Sequence, residues 1–262
     1  MSFIFKMHPI IQALVATIFT WSVTALGAAL VFMFKKINKN VLDSMLGMSA
    51  GVMIAASFWS LLSPSIDMAK KLNMNVMLVV SLGFLSGGLL LFIGDKIMNK
   101  LQNRSGISTS RRVLMLITSI TLHNIPEGLA VGCAFGSTLY GLDGATIISA
   151  WMLALGIGIQ NFPEGTAVSV PLRREGFSRK KAFFYGQLSG IVEPISGVIG
   201  AILVLKIRLI LPFLLAFAAG AMIYVVVEEL IPESQTNESK DLMSMFTLIG
   251  FVIMMLLDVG LG

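Results

Sequence analysis

Two copies of one unusual phrase stand inside apolar stretches of the chain. They read His123-Asn124-Ile125-Pro126-Glu127-Gly128 and Gln160-Asn161-Phe162-Pro163-Glu164-Gly165. No Lys or Arg occurs between Arg112 and Arg173, so the two glutamates have no cationic neighbour in sequence. An ionised side chain at the centre of a bilayer costs at least about 2.5 kcal/mol and therefore needs a counter-charge. A metal cation in transit would supply it.

The spacing inside each phrase favours metal coordination. Positions i and i+4 share one helix face, which pairs His123 with Glu127 and Gln160 with Glu164. Imidazole, carboxylate and amide oxygen ligands together suit a borderline divalent ion such as zinc, with iron and manganese as alternatives. Several carboxylates around one site also suggest two ions close together, with Glu127 and Glu164 shared between them.

A third acidic group is expected at the same depth in the membrane. At a rise of 1.5 Å per residue, Glu127, Glu164 and Glu193 lie about 22, 14 and 18 Å from the nearest basic residue at the end of their helices. These carboxylates therefore occupy one central band of the membrane. They are predicted to face one another, because charged groups on lipid-facing surfaces would not coincide in this way.

The composition predicts an integral membrane protein of the all-α class. Of the 262 residues, 56% are hydrophobic and only 13% are charged, whereas soluble domains are about 25% charged. A helix needs about 20 apolar residues to cross the hydrocarbon. Eight such stretches are predicted as spans 1 to 8, at about 8–34, 43–66, 74–95, 113–136, 144–171, 182–205, 209–231 and 242–261. They form a single eight-helix transmembrane domain over residues 1–262, in which the first span is retained because it is too long for a signal peptide.

The distribution of basic residues predicts the orientation. The loops after the odd-numbered spans carry fourteen Lys and Arg, and the opposite side carries five. Because positive residues favour the cytoplasm, both termini are predicted to lie outside. The longest connection, 96–112, is polar and basic, and is predicted to be cytoplasmic and mobile. The basic residues bracket the spans and form no patch, so the sequence does not indicate nucleic-acid binding.

Prolines are expected to bend three of the spans. Pro126, Pro163 and Pro194 lack an N–H and clash with the carbonyl four residues earlier, which predicts kinks in spans 4, 5 and 6 around the central site. Irregular backbone at this depth is tolerated only where it lines a cavity or is buried in protein. The two phrases lie on adjacent, antiparallel spans and so enter the membrane from opposite faces, as in a local inverted pair around a central site.

The chain resembles the ZIP (Zrt-, Irt-like) family of divalent-metal transporters, in its GufA-like prokaryotic branch. The resemblance covers all eight spans. Besides the two phrases, it rests on Gly190-Ile191-Val192-Glu193-Pro194-Ile195-Ser196-Gly197, on the segment from Ser49 through Met53 to Ser60, and on Val227-Glu228-Glu229-Leu230-Ile231-Pro232-Glu233.

This resemblance implies uptake of zinc or similar ions, including cadmium, iron and manganese, into the cytoplasm across the cell membrane. The metal is then cargo, and no cofactor and no enzymatic activity are expected. One ion of a binuclear centre would be held by Met53, His123, Glu127, Gln160 and Glu164. Its neighbour would be held by Asn124, Glu127, Asn161, Glu164 and Glu193. Ser60 and Asp67 would form the entrance pathway, and Glu228 and Glu229 are candidates for the exit.

The chain departs from the family pattern at two ligand positions. Many members carry His where Gln160 stands, and relatives place Asp where Asn161 stands, which weakens the second ion position. Two other functional classes remain as alternatives, a passive divalent-cation channel and an intramembrane metallohydrolase. The hydrolase is disfavoured because no His-Glu-x-x-His spacing occurs. The expected partners are divalent ions and the lipid bilayer, and a homodimer is left open.

Overall fold

The computed structural model describes residues 7–33, 38–103, 109–140, 146–174 and 176–261. Within these ranges all regular structure is helical. The α-helices are α1 (Pro9–Ala28), α2 (Leu30–Met33), α3 (Lys39–Ala56), α4 (Ser63–Lys71), α5 (Val76–Asn103), α6 (Thr109–Ser137), α7 (Ile147–Arg174), α8 (Arg179–Leu188), α9 (Val192–Lys206), α10 (Leu211–Val225), α11 (Ile231–Ser234) and α12 (Lys240–Leu261). Two π-helical segments, Ser57–Leu62 and Val226–Leu230, join α3 to α4 and α10 to α11. Short 3-10 turns lie at Thr138–Tyr140, Ser189–Ile191 and Arg208–Ile210.

Six helical segments of the described chain are long and apolar enough to cross a membrane, which confirms the all-α, multi-pass membrane class. They are Pro9–Met33, Lys39–Lys71, Val76–Ile97, Arg179–Lys206, Arg208–Ser234 and Lys240–Gly260. The helices α6 and α7 are not among the six. A total of eight spans therefore stays a prediction.

The two phrase-bearing helices lie in the interior of the bundle. Helix α6 packs along α9, and α7 packs along α1 and α3. Most side chains of α6 after Asn124 and of the central part of α7 are buried. By contrast, α5 and α12 expose long rows of leucine, isoleucine and valine side chains, as expected of surfaces in contact with lipid. The polar helices are thus enclosed by the apolar ones.

The helices pack as two groups. Helices α1, α6, α7, α8 and α9 make their most extensive contacts with one another, and α10 with α5 and α12 with α3 form the second set of extensive contacts. Contacts between the groups run mainly from α3 to α7 and from α10 to α6. The interior polar residues of α6 and α7 therefore lie near the boundary between the groups.

The helices widen into π turns before two prolines that were not among the predicted kink positions. Each π-helical segment ends just before a helix with proline in its first turn, Pro64 in α4 and Pro232 in α11. A proline leaves the carbonyl four residues earlier without its α-helical donor, and a wider π turn accommodates the change. Helices α6 and α7 are uninterrupted through Pro126 and Pro163. The predicted sixth span does break, at the 3-10 turn before Pro194, and kinks in spans 4 and 5 stay predictions.

The connection predicted at 96–112 is shorter than expected. Helix α5 continues to Asn103 and α6 begins at Thr109. The ammonium group of Lys96 lies 4.5 Å from the centroid of the Phe92 ring one turn earlier, and such a cation–π contact stabilises a helix end. Only residues 104–108 of this predicted loop are outside the described residues, and its mobility and cytoplasmic location remain predictions.

Glycine permits the closest approach between α5 and α10. A Cβ atom at Gly87 would lie 1.9 Å from the carbonyl oxygen of Phe217, and one at Gly220 would lie 1.9 Å from that of Phe84. Only hydrogen fits at such positions, and small residues are the usual means of close helix packing in membranes. Gly88 is different, because its Cβ would stand 3.5 Å from the nearest atom, in ordinary contact.

We predict that Gly87→Ala destabilises the bundle and that Gly88→Ala does not. The added methyl group at position 87 must separate two helix backbones, and overpacking of this kind costs about 1–3 kcal/mol. The melting temperature of the detergent-solubilised protein should fall by several degrees for Gly87→Ala only. Equal melting temperatures for the two variants would contradict the close packing of α5 on α10.

Candidate metal centre

The carboxylate of Glu127 is linked to the second phrase through an amide. Glu127 lies in the middle of α6 and is fully buried. The Nε2 atom of Gln160, on α7, donates to its Oε1 atom at 2.7 Å. Asn161, the residue after Gln160, bonds Glu193 of α9, so polar groups of α6, α7 and α9 adjoin one another. That the three carboxylates face one shared ion stays a prediction.

Glu193 is enclosed by hydrogen-bond donors from two helices. The Nδ2 atom of Asn161 lies 2.9 Å from each of its carboxylate oxygens. The hydroxyl of Thr20 donates to Oε2, and the hydroxyl of Thr24 donates to Oε1 at 3.4 Å. Glu193 therefore joins α9 to α7 and α1 by bonds from neutral groups.

Five buried oxygen atoms of the phrases have no hydrogen-bond donor. They are Oδ1 of Asn124, Oε2 of Glu127, Oε1 of Gln160, Oδ1 of Asn161 and Oε1 of Glu164. Buried polar atoms without partners are rare in folded proteins and call for an explanation such as an ion. Two carboxylate oxygens and three amide oxygens form a set of metal ligands that suits a divalent cation.

The glycine that ends each phrase allows the polar helices to come together. A Cβ at Gly128 would lie 2.4 Å from the carbonyl oxygen of Glu193, and one at Gly165 would lie 2.0 Å from that of Thr24. The first phrase also bonds across this contact, where Nδ2 of Asn124 donates to the carbonyl oxygen of Ser189 at 2.9 Å. Each phrase thus combines a polar side chain that faces inward with a glycine that admits the neighbouring helix.

Met53 and His123 are two further predicted ligands. Met53 is buried on α3, one helical turn after Ser49, whose hydroxyl donates to the backbone carbonyl oxygen of Gln160 at 3.3 Å. Residues four apart share a helix face, so Met53 lies on the side of α3 that faces α7. The side chain of His123 is outside the described residues, and its role stays a prediction. Where side chains are described, no group of three His, Cys, Asp or Glu residues is arranged so that it could hold a metal ion.

The predicted entrance residues line one cavity. It has a volume of about 160 Å³, and its lining includes Ser60, Asp67 and Asp258. Ser60 donates to Oδ1 of Asp258 at 2.7 Å, while Oδ2 of Asp258 is buried without a donor. Asp67 is more exposed and lies 3.5 Å from the ammonium group of Lys70. Met53 is not among the residues that line this cavity, and the π-helical segment Ser57–Leu62 lies between Met53 and Asp67.

The predicted exit residues lie on the second π-helical segment. Glu228 is exposed and Glu229 is half-buried. Electrostatic repulsion from Glu229 acts on Glu164, so this residue lies within reach of the central carboxylates. The two acids differ in their surroundings, and Glu229 is the one that is close to the centre.

Sequence reasoning missed the contribution of α1. Thr17, Thr20 and Thr24 are fully or almost fully buried, and two of them donate to Glu193. Their spacing of three and four residues marks one helix face, which was the available signal. Hydroxyls in an otherwise apolar helix can equally bond their own backbone, as Thr17 does with the carbonyl oxygen of Ala13 at 2.7 Å.

The chain is similar to known proteins that are described as zinc transporters. A family model described as "ZIP Zinc transporter" matches residues 102–258. "Zinc transporter ZIP11" of Homo sapiens is 40% identical and aligns with 97% of this chain and 98% of its own length. "Zinc transporter GufA" of Myxococcus xanthus is 33% identical over 95% of this chain and 98% of its own. "Zinc transporter ZIPB" of Bordetella bronchiseptica is 35% identical over 92% of this chain and 79% of its own.

We predict that zinc stabilises the solubilised protein through Glu164. A ligand that binds only the folded state adds about 2.7 kcal/mol at 100 times its dissociation constant. The melting temperature should rise on addition of zinc to chelator-treated protein, and the rise should be much smaller for Glu164→Gln. Asp241→Asn is the control, since Asp241 is an exposed carboxylate at the start of α12. A rise of equal size in Glu164→Gln and the control would contradict the assignment.

Proposed function

The chain belongs to the ZIP family of zinc transporters, and we propose that it carries zinc or a similar divalent ion inward across the cell membrane through the centre between α6 and α7. It is a membrane transporter of divalent metal and not an enzyme. In this proposal Glu127 and Glu164 are the charged ligands, and oxygen atoms of Asn124, Gln160 and Asn161 complete the set.

The observation that carries the proposal is the group of five buried oxygen atoms without donors. Two of them belong to carboxylates, and the charges of two carboxylates balance one divalent cation. Such a cation would exchange part of its water shell for these oxygens in the interior of the bundle. His123 and Met53 are proposed as further ligands. A second ion position, implied by the family resemblance, depends on whether Glu193 is available to a metal.

The proposed mechanism is alternating access between the two helix groups. The metal would enter through the cavity at Ser60 and Asp67, bind at Glu127 and Glu164, and leave past Glu229. The division of contacts into two groups, with the phrases near their boundary, supports a relative movement of one group against the other. Ligands bind a metal when deprotonated, so protons compete with the metal and lower pH should weaken binding.

We predict that Glu127→Ala and Glu164→Ala each abolish zinc uptake into proteoliposomes. Each change removes one of the two negative charges that hold the ion, while the helix and its insertion are retained. Glu238→Ala is the matched control, because it removes an exposed carboxylate from the connection before α12. Wild-type transport by either central variant would refute the proposed site.

The same uptake assay separates a carrier from a passive channel. A carrier gives flux that saturates with zinc concentration and depends steeply on temperature, because each ion requires a conformational change. A channel would give single-channel conductance in planar bilayers. Competition by cadmium, iron and manganese in the same vesicles ranks the ions that the centre accepts.

The orientation is tested by labelling with a membrane-impermeant thiol reagent. The native Cys133 is fully buried, so it should contribute little background. We predict that Lys70→Cys, at the end of α4, is labelled from outside the cell, and that Glu238→Cys is labelled only after permeabilisation. Both positions are exposed. The reverse pattern would place the termini in the cytoplasm.

A further inference from the structure

Resting on the transport function proposed above, we propose that Glu193 is a structural clasp and not a metal ligand, so that the centre holds one divalent ion. The amide group of Asn161 takes the place that a second cation would occupy beside Glu193. The chain is then a transporter with a single-ion centre on Glu127 and Glu164.

Neutral hydrogen-bond donors surround the carboxylate of Glu193. Both of its oxygens accept from Nδ2 of Asn161 at 2.9 Å, and each also accepts from a threonine hydroxyl of α1. A Cβ at Gly190 would lie 2.9 Å from its Oε1 atom, so glycine at that position leaves room for the carboxylate. Neutral donors therefore already satisfy the oxygens that a metal would need.

The buried oxygen atoms that lack a hydrogen-bond donor lie on other residues than Glu193. In the two phrases they belong to Asn124, Glu127, Gln160, Asn161 and Glu164 on α6 and α7. Neither oxygen of Glu193 is among them, although Glu193 is fully buried. The structure thus divides its three central carboxylates into two with free oxygens and one with none.

Charge balance supports the same division. Two divalent ions carry four positive charges, whereas Glu127, Glu164 and Glu193 supply three negative charges at most. Glu229 is the further carboxylate near Glu164, and it is half-buried on the second π-helical segment, outside the two phrases and α9. An aspartate at position 161 would supply the fourth charge and would also remove the N–H groups that enclose Glu193. Asn161 therefore opposes a second ion in two ways.

The clasp also joins helices of a single packing group. Glu193 on α9 is bonded to α7 and α1, and α1 packs against both α7 and α9. The same Nδ2 atom of Asn161 lies 3.3 Å from the backbone carbonyl oxygen of Thr20. A carboxylate in this position can hold three helices together while the first helix group, which contains α1, α7 and α9, moves as a unit against α3.

The proposal predicts the number of zinc ions bound per chain. Zinc retained by purified protein is counted by elemental analysis and calorimetry, and zinc bound by the Glu127→Ala/Glu164→Ala double variant is subtracted. We expect one central ion for the wild type and two for Asn161→Asp. X-ray absorption of the Asn161→Asp protein should then show a second zinc at about 3.5–4 Å, the separation typical of two-metal sites.

Asn75→Asp is the control. It adds the same charge at an exposed position before α5, where Oδ1 of Asn75 accepts from the backbone N–H of Leu78 at 3.2 Å, so the clasp stays closed and one ion is expected. Glu193→Gln should bind zinc within about threefold of the wild-type affinity, whereas Glu164→Gln should lose most of it. The Glu193 comparison keeps the proposal testable if Asn161→Asp does not fold.

The outcomes separate the two proposals. Two central ions in the wild type, or a loss of affinity in Glu193→Gln as large as that in Glu164→Gln, would overturn the single-ion centre and leave the transport function standing. One ion in both Asn161→Asp and the wild type would show that Asn161 does not exclude the second. No central ion in the wild type would overturn both the clasp and the proposed transport site.

Discussion

A buried carboxylate must be compensated where water is absent, and the described structure offers Glu127, Glu164 and Glu193 no basic partner. An ion pair between described residues joins Lys70 to Asp67 near the surface. An uncompensated charge in the interior costs several kcal/mol. Glu193 is compensated by neutral donors, and Glu127 and Glu164 keep free oxygens. The helices α6 and α7 are enclosed by apolar helices. Inside this enclosure, the amides of both phrases and the hydroxyls of α1 meet the need to compensate the carboxylates.

Close packing around these groups depends on residues without side chains. Gly128 and Gly165 each follow a central glutamate and admit a neighbouring backbone at distances that exclude a Cβ. Helices that approach so closely leave little space for water beside the carboxylates. The glutamate and the glycine of each phrase therefore act together. The glycine lets a neighbouring helix approach, and the hydroxyl or carbonyl groups of that helix complete the polar interior.

Much of the site could be predicted from the sequence because its signals are local. The repeated phrases and the absence of basic residues between Arg112 and Arg173 predicted convergent carboxylates, and Gln160 indeed bonds Glu127. The hydroxyls of Thr20 and Thr24 were missed, since a threonine in an apolar helix bonds its own backbone as readily as a distant side chain. Pro126 and Pro163 resembled helix breakers, yet the backbone widens before Pro64 and Pro232. Tertiary packing decides where a proline bends a helix, and a single sequence does not contain that information. The position of His123 and the orientation in the membrane stay predictions.

The two π-helical segments have a consequence for how this chain tolerates insertions and deletions. A π turn contains about one residue more than an α turn, so loss of one residue from Ser57–Leu62 could be absorbed by a return to regular α-helix. The helix after the segment would then keep nearly the same face toward the bundle, and Asp67 would still lie at the cavity that it lines. Loss of one residue from the regular helix α3 would instead rotate everything after it by about 100°. The π-helical segments are thus the places in these two helices where a change of length alters the approach of ions least.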